Sequence, residues 1–193
     1  MKRMLTLAEE IFDRGIPYCT LFALSAENLS RPEEELEGLF SLFRSYFTTH
    51  YKKLLERGIA MRIIGDRGCL PQDIVELIER AERETAAGTR GTLAIAIGYG
   101  GRQDIVNACN RAVREGREVT METFARTLST GGMPELDLLI RTGKEKRISN
   151  FLLFEAAYAE LYFSEKLFPD FTVRDLSRAL ADYAGRERRY GKI

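Results

Sequence analysis

The sequence predicts an α/β fold: a mostly parallel central sheet with helices on both faces, in a single domain over residues 1–193. Three observations predict it. Short apolar runs alternate with segments whose apolar residues recur at helical spacing. Such alternation buries a parallel sheet between layers of helix. Polar and glycine-rich stretches follow the apolar runs directly, where strands of such a sheet open onto a ligand-binding rim. Finally, 193 residues suffice for one well-filled core, and no internal repeat, linker or low-complexity segment interrupts them.

Leu5, Ala8, Ile11 and Phe12 space a first helix over residues 2–14, and Gly15 follows as its C-cap. Ile16 to Leu24 is an apolar run with Tyr18, Thr20 and Phe22, suited to a buried strand. Ser25 to Pro32 is a polar loop. Pro32 suits the first turn of a helix, and Glu33, Glu34 and Glu35 complement its dipole. That helix runs to about Thr48 on a stripe of Leu36, Leu39, Phe40, Phe43 and Phe47. Arg62 to Asp66 reads as a second strand and its exit. Pro71 opens a helix carrying Ile74, Leu77, Ile78 and Ala81. Thr92 to Ile97 is a third strand, and Gly98 to Arg102 is a tight turn into the helix of Ile105, Val106, Ala108, Cys109 and Val113. A shorter helix lies around Thr123 to Leu128. Leu136 to Ile140 is a fourth strand, Phe151 to Glu160 a core helix, and Leu161 to Phe163 a brief fifth strand. After a turn at Phe168 to Phe171, Val173, Leu176, Leu180 and Tyr183 space a last helix, which leads into Arg186 to Gly191.

Composition excludes several classes of function. The 29 basic and 29 acidic residues cancel, so no global field draws the chain to nucleic acid or to an anionic membrane. No apolar run approaches the roughly 20 residues that span a bilayer. Glu9 and Glu10 spoil a signal-peptide reading of the start. Cys19, Cys69 and Cys109 are odd in number and far apart, matching neither a zinc spacing nor a disulfide framework. The expectation is a soluble, cytoplasmic protein of a reducing compartment. His50, the lone histidine, is expected at the surface just after its helix.

Anion binding must therefore come from a local cluster, and one stands out. Arg141 to Asn150 holds four cations: Arg141, Lys144, Lys146 and Arg147. Ser149 or Asn150 is a natural N-cap for the apolar segment that follows. A helix start ringed by cations is a phosphate site. Glu160, a carboxylate in apolar surroundings, calls for a cation or metal partner. Together these suggest a diphosphate and a Mg²⁺ ion sharing one pocket. The plainer reading is a loop of solvated charges before a core helix. The rim should gather Ser25 to Arg31, Asp66 to Gly68, Gly98 to Arg102 and Arg141 to Ser149.

Eight blocks in order carry a resemblance: Phe22 to Asn28 with Arg31-Pro32, Arg62 to Asp66, Tyr99-Gly100-Gly101-Arg102, Asp137 to Gly143, Arg147 to Leu153, Tyr158 to Phe163, Phe168 to Phe171, and Arg186 to Gly191. The chain resembles the cis-prenyltransferases over essentially its whole length. The resemblance implies Mg²⁺-dependent condensation of isopentenyl diphosphate onto an allylic diphosphate, usually farnesyl diphosphate. The product is a polyprenyl diphosphate that grows into an apolar tunnel and is delivered to the membrane. Arg141, Arg147 and Ser149 fall where the family binds isopentenyl diphosphate, and Glu160 falls where it places a carboxylate near Mg²⁺. Ser25 and Asn28 fall on the loop credited with positioning substrates and assisting proton removal, flanked by Glu27 and Arg31. Arg189 and Gly191 belong to a C-terminal Arg-x-Gly that reaches the neighbouring subunit of a homodimer. Leu36, Leu39, Phe40, Phe43, Ile74 and Leu77 are the tunnel candidates, each with an ordinary core reading beside it.

The sequence also departs from the family pattern. The family's first strand ends in Asp-Gly-Asn-Gly-Arg-Trp, which supplies its main metal aspartate and an allylic diphosphate cradle. Nothing here matches that segment. Leu29, Gly98 and Lys146 replace an aromatic, an Asn and a position often held by His. Two explanations compete: an N-terminal truncation of an ordinary synthase, or a naturally short non-catalytic partner in a heteromeric one. The intact Arg147-Ile148-Ser149-Asn150 and Glu160 blocks favour the first, and the chain as it stands is expected to be weakly active or inactive. A phosphate-binding module without catalysis is a third reading.

Overall fold

A computed structural model describes residues 2–187. Helix α1 (Lys2–Asp13) leads through Gly15, at φ +78°, into strand β1 (Tyr18–Ser25). A 3₁₀ turn (Glu27–Ser30) follows, then α2 (Glu33–Ser45), a single π turn (Tyr46–His50) and α3 (Tyr51–Glu56). Strand β2 (Ile59–Ile64), helix α4 (Gln72–Thr85), strand β3 (Gly91–Tyr99), and helices α5 (Gly101–Arg114) and α6 (Met121–Thr127) come next. Strand β4 (Leu138–Arg141), a 3₁₀ turn (Glu155–Tyr158), β5 (Glu160–Phe163) and α7 (Val173–Ala184) complete the order.

The predicted α/β class holds: every strand pairing is parallel. β3 is the middle strand, with β1 on one side and β2 on the other. It is buried from Leu93 through Tyr99, which explains its unbroken apolar run. β4 and β5 form a second, two-stranded ladder. A central sheet without the family's first strand was expected; among the described residues no ladder joins β1 to β4.

The main core lies between the three-stranded sheet and helices α1 to α4. Phe12, Phe40, Phe43, Phe47, Ile59, Ile74, Ile78, Leu93 and Ile95 form one buried cluster. The tunnel candidates Leu36, Leu39 and Leu77 pack against it, beside Phe40, Phe43 and Ile74. A separate cluster of Leu7, Phe171 and Leu176, with Ile140 against it, fixes α1 and α7 over β4. Arg62 of β2 donates to the carbonyls of Ser129 and Gly131, and Asp104 of α5 accepts from the Ser129 amide. These bonds tie the segment leading to β4 onto the larger sheet.

Two sequence expectations need correction. The helix over 33–48 does not stop at Thr48: it widens by one π turn and runs on as α3. His50 therefore lies within helical structure, half-buried, its ring stacked on Tyr46 with centroids 5.8 Å apart. Its Nδ1 is buried with no hydrogen-bond partner. The aromatic run Tyr46, Phe47 and Tyr51 is buried on the inner side, which rewards continuing the helix past the expected stop.

The second correction is larger. No α-helix covers Phe151 to Glu160; only the 3₁₀ turn at Glu155–Tyr158 forms there. Ser149, Asn150 and Leu152 have φ of 49°, 61° and 46°. Each is left-handed, which costs a non-glycine residue roughly 1–2 kcal/mol and cannot continue a right-handed helix. The apolar residues are still used, since Leu152 is 3% exposed, but Tyr158 is 70% exposed. The segment is a packed loop.

Candidate functional site

The site begins where the parallel strands end. β1 ends at Ser25, β2 is followed by Gly65 and Asp66, β3 ends at Tyr99, and β4 ends at Arg141. Backbone bonds draw the first three exits together. The Ala26 amide donates to the Tyr99 carbonyl (2.9 Å) and the Asp66 amide to Gly98 (3.3 Å). Gly98, at φ +59°, lies so close to Asp66 and Cys69 that a side chain there would collide with both.

The fourth exit joins through one residue, Asn150. Its carbonyl accepts from the Gly101 amide (2.7 Å) and its Oδ1 from the Arg102 amide (2.9 Å). These two amides open α5 and have no partner within that helix. Asn150 therefore does cap a helix, but a different one from the helix expected after it. Its Nδ2 donates to Glu27 Oε1 at 2.7 Å. The partners fix the amide orientation: Arg102 N–H can only donate, and the Glu27 carboxylate can only accept. Gly100 and Gly101 owe their identity to this approach. A Cβ on Gly100 would lie 2.7 Å from Asn150 Nδ2, and one on Gly101 2.7 Å from Leu153 Cγ. Below the loops Phe151 stacks on Phe22 (4.5 Å) and meets Tyr99 edge-on (6.1 Å).

Glu27 is exposed, and the Asn150 hydrogen bond holds its carboxyl below the usual range. Bonds from the loop backbone and Ser25, and the Arg102 charge, act in the same sense. Ser25 Oγ accepts the Asn28 amide (3.2 Å), so Ser25, Glu27 and Asn28 form one small hydrogen-bonded turn. Arg31 points elsewhere, toward Glu35 at 3.9 Å on the exposed face of α2.

The cationic loop is rooted on the segment that follows β5. The amides of Gly143 and Lys144 donate to the carbonyls of Lys166 (2.7 Å) and Ser164 (3.1 Å), and Ser164 donates back to Arg141. Lys166 in turn is held by Asp175 (2.8 Å), the buried capping carboxylate of α7. Arg141 is half-buried, with Nε buried and unpartnered. Arg147 is exposed and pairs with Glu145 at 2.7 Å; Ser149 is half-buried.

Glu160 stands apart from those cations. It opens β5 opposite Leu138, whereas Arg141 closes β4 opposite Phe163. Three register steps separate them, about 10 Å along the ladder. Arg186 already takes the Glu160 carboxylate at 2.7 Å, and also bonds Asp182 and the Leu161 carbonyl. Within one chain the single pocket expected from the sequence, with diphosphate cations and metal carboxylate together, is not formed. Among the described residues no group of three or more His, Cys, Asp or Glu could hold a metal ion. A lone carboxylate neutralised by a guanidinium does not fit a resident Mg²⁺. Arg189 and Gly191 lie outside the described residues.

Sequence reasoning missed the reach of Asn150, the Arg186 partner of Glu160 and the Asp175–Lys166 anchor. One signal for the first was present. A helix starting at Ser149 or Asn150 would want Glu or Gln three residues on, and finds Leu152 or Leu153.

Comparisons with known proteins identify the family and the fold. A family model described as "Putative undecaprenyl diphosphate synthase" matches residues 1–191. The chain is 42% identical over 193 residues to a ditrans,polycis-undecaprenyl-diphosphate synthase ((2E,6E)-farnesyl-diphosphate specific) of Acinetobacter baylyi, covering 96% of this chain and 78% of that protein. It is 44% identical over 188 residues to an isoprenyl transferase of Aquifex pyrophilus, covering 97% and 81%. Its fold superposes on the crystal structure of lavandulyl diphosphate synthase from Lavandula x intermedia in complex with dimethylallyl diphosphate. That match has a TM-score of 0.94 and 33% identity, covering 99% of this chain and 86% of that one.

Proposed function

The chain belongs to the undecaprenyl diphosphate synthase family, the cis-prenyltransferases, and on that premise we propose that it condenses isopentenyl diphosphate in cis onto farnesyl diphosphate to give a polyprenyl diphosphate. The enzyme class follows from the family. The primer follows from the name of the Acinetobacter relative.

One observation carries the site assignment. The Arg147 to Asn150 block is bonded through Asn150 and Glu27 to the Ser25 to Asn28 block, over a hundred residues earlier in the chain. Two loops that bind different parts of one reaction must be held in register. In this reading Arg147, Ser149 and Arg141 hold the diphosphate of isopentenyl diphosphate. Guanidinium groups suit phosphate oxygens. Ser25 and Asn28 face the reacting carbons and the proton that leaves, with Glu27 setting their turn. The growing chain runs among Leu36, Leu39, Phe40, Phe43, Ile74 and Leu77. Mg²⁺ accompanies the diphosphates; the side chains described here do not form its site on their own.

The functional unit in this reading is a homodimer, completed by the Arg189 to Gly191 segment of a neighbouring subunit. Among the described residues no helix is long and apolar enough to cross a membrane. The reading places the enzyme in the cytoplasm, passing product to the inner membrane face.

Incorporation of radiolabelled isopentenyl diphosphate tests the proposal, with farnesyl or dimethylallyl diphosphate as primer and Mg²⁺ present. Butanol-extractable product with farnesyl diphosphate, weak from the chain as it stands and stronger when the family's Asp-Gly-Asn-Gly-Arg-Trp segment is placed ahead of it, is the expected result. Incorporation with dimethylallyl diphosphate alone overturns the primer. Turnover only after a second family member is added turns the assignment to a subunit of a heteromeric enzyme.

A further inference from the structure

Asn150 is bonded to three residues in two separate segments at once, and its bonds are of two kinds. Those to Gly101 and Arg102 go to the rigid start of α5. The one to Glu27 goes to a short 3₁₀ turn with no buried residue, on an exposed loop. Asn150 itself lies in left-handed backbone next to Ser149, also left-handed, at the end of the cationic loop. A shift of that loop must move the amide, and the amide is the side-chain bridge from the cationic loop to Glu27.

We propose that Asn150 is a positioning residue, a latch that couples diphosphate binding by the Arg147 and Ser149 loop to the setting of Ser25 and Asn28. The inference rests on the prenyl-transfer reading for what the two loops bind, and on the bonds alone for the coupling. The residue type matches the task. Asn enters left-handed backbone more readily than most residues. It offers one acceptor, used by Arg102, and a donor, used by Glu27. Asp would keep the first bond and lose the second. Gly100, with no room for a Cβ beside Asn150 Nδ2, keeps the amide pressed between α5 and the Glu27 turn. Glu27 then presents its turn to Ser25 Oγ and the Asn28 amide.

The test uses Asn150→Asp and the double variant Asn150→Asp with Glu27→Gln. The single change keeps an acceptor at the start of α5, so the fold is retained, but sets two carboxylates face to face. The double change restores a donor–acceptor pair with its polarity reversed. In the ligand-free protein, hydrogen exchange is followed at the amides of Asn28, Leu29 and Arg31, each bonded within the turn. Losing a charge-assisted hydrogen bond should lower their protection about tenfold in the single variant, with return to within about threefold in the double. Inorganic diphosphate should raise protection of the same amides in the parent protein and the double variant, and not in Asn150→Asp. In turnover, kcat should fall while KM for isopentenyl diphosphate changes little, and the double variant should recover kcat. Unchanged protection in Asn150→Asp, or a double variant no better than the single, overturns the latch. No incorporation of isopentenyl diphosphate with any primer, even with the family's Asp-Gly-Asn-Gly-Arg-Trp segment placed ahead of the chain, overturns the prenyl-transfer reading instead, while the ligand-free exchange still decides the latch.

Discussion

Leu93 to Ile97 in β3 and Ser149 to Leu153 in the site loop are both short, rich in apolar residues and packed together: Ala96 and Leu152 share one buried cluster. They are held by opposite means. The strand repeats one conformation, bonds to both neighbours and is buried on both faces. The loop has three left-handed residues and no regular ladder, and takes its shape from the bonds of Asn150 and the stack of Phe151 on Phe22. Apolar area sets the first; polar bonds to distant residues set the second. A protein can afford local strain where those distant bonds over-determine the conformation, and such strain gathers at sites.

The sharpest way to break the comparison is to remove area from the strand. Ile95 is 2% exposed at the centre of the main core. Ile95→Ala should lower the unfolding free energy by about 2–5 kcal/mol, through lost transfer energy and the cavity left behind. Urea denaturation reads this directly. The molecules that remain folded should bind isopentenyl diphosphate as the parent does, because no bond of the site passes through the Ile95 side chain. Weaker binding by the folded fraction would show that strand and loop are not independent.

Acid should separate the two regions from the other side. Asp175 is buried, accepts from Lys166, Thr172 Oγ1 and the Thr172 amide, and those bonds hold its carboxyl well below the usual range. A carboxylate lowered in the folded state contributes stability that is fully present above its unfolded value, near pH 4, and is lost as pH falls through its folded value. Lys166 is the acceptor for Gly143, so this loss should reach the root of the cationic loop first. Hydrogen exchange at Gly143 and Lys144 should rise below about pH 4 while the β3 amides stay protected. Asp175→Asn should show the same loosening at neutral pH. Simultaneous loss of protection in both regions would mean that the anchor serves the whole fold.

What was legible in the sequence follows the same division. The strands and helices could be read because Leu93 to Ile97, the α4 stripe of Ile74 and Ile78, and Gly15 each act through near neighbours. The gathering of the strand-end loops also followed, from parallel topology alone. The course of 149–160 could not be read, because its determinants lie at Gly101, Arg102 and Glu27, invisible to any periodicity within the segment. Glu160 was recognised as a carboxylate in need of a partner, but its partner, Arg186, is 26 residues away. His50 was misplaced for a local reason: one π turn shifts the helical face, and no simple spacing rule anticipates it.

Ser149→Gly is the smallest effect and the most discriminating, because stability and function should move in opposite directions. Ser149 holds φ at 49°, a conformation that glycine adopts without steric cost. Relief of that strain is partly offset by the greater freedom of glycine in the unfolded chain, so the net gain should be at most about 1 kcal/mol. The same change deletes the hydroxyl assigned to the diphosphate. KM for isopentenyl diphosphate should rise about tenfold, the worth of one hydrogen bond to a charged group, while the thermal midpoint stays level or climbs. A fall in the midpoint would show that the hydroxyl holds the loop together. An unchanged KM would remove Ser149 from the binding site, leaving the diphosphate to Arg141 and Arg147. The β3 strand offers no counterpart to this test: Ile95 fills space in the main core, so its loss lowers stability and leaves binding by the folded molecules where it was.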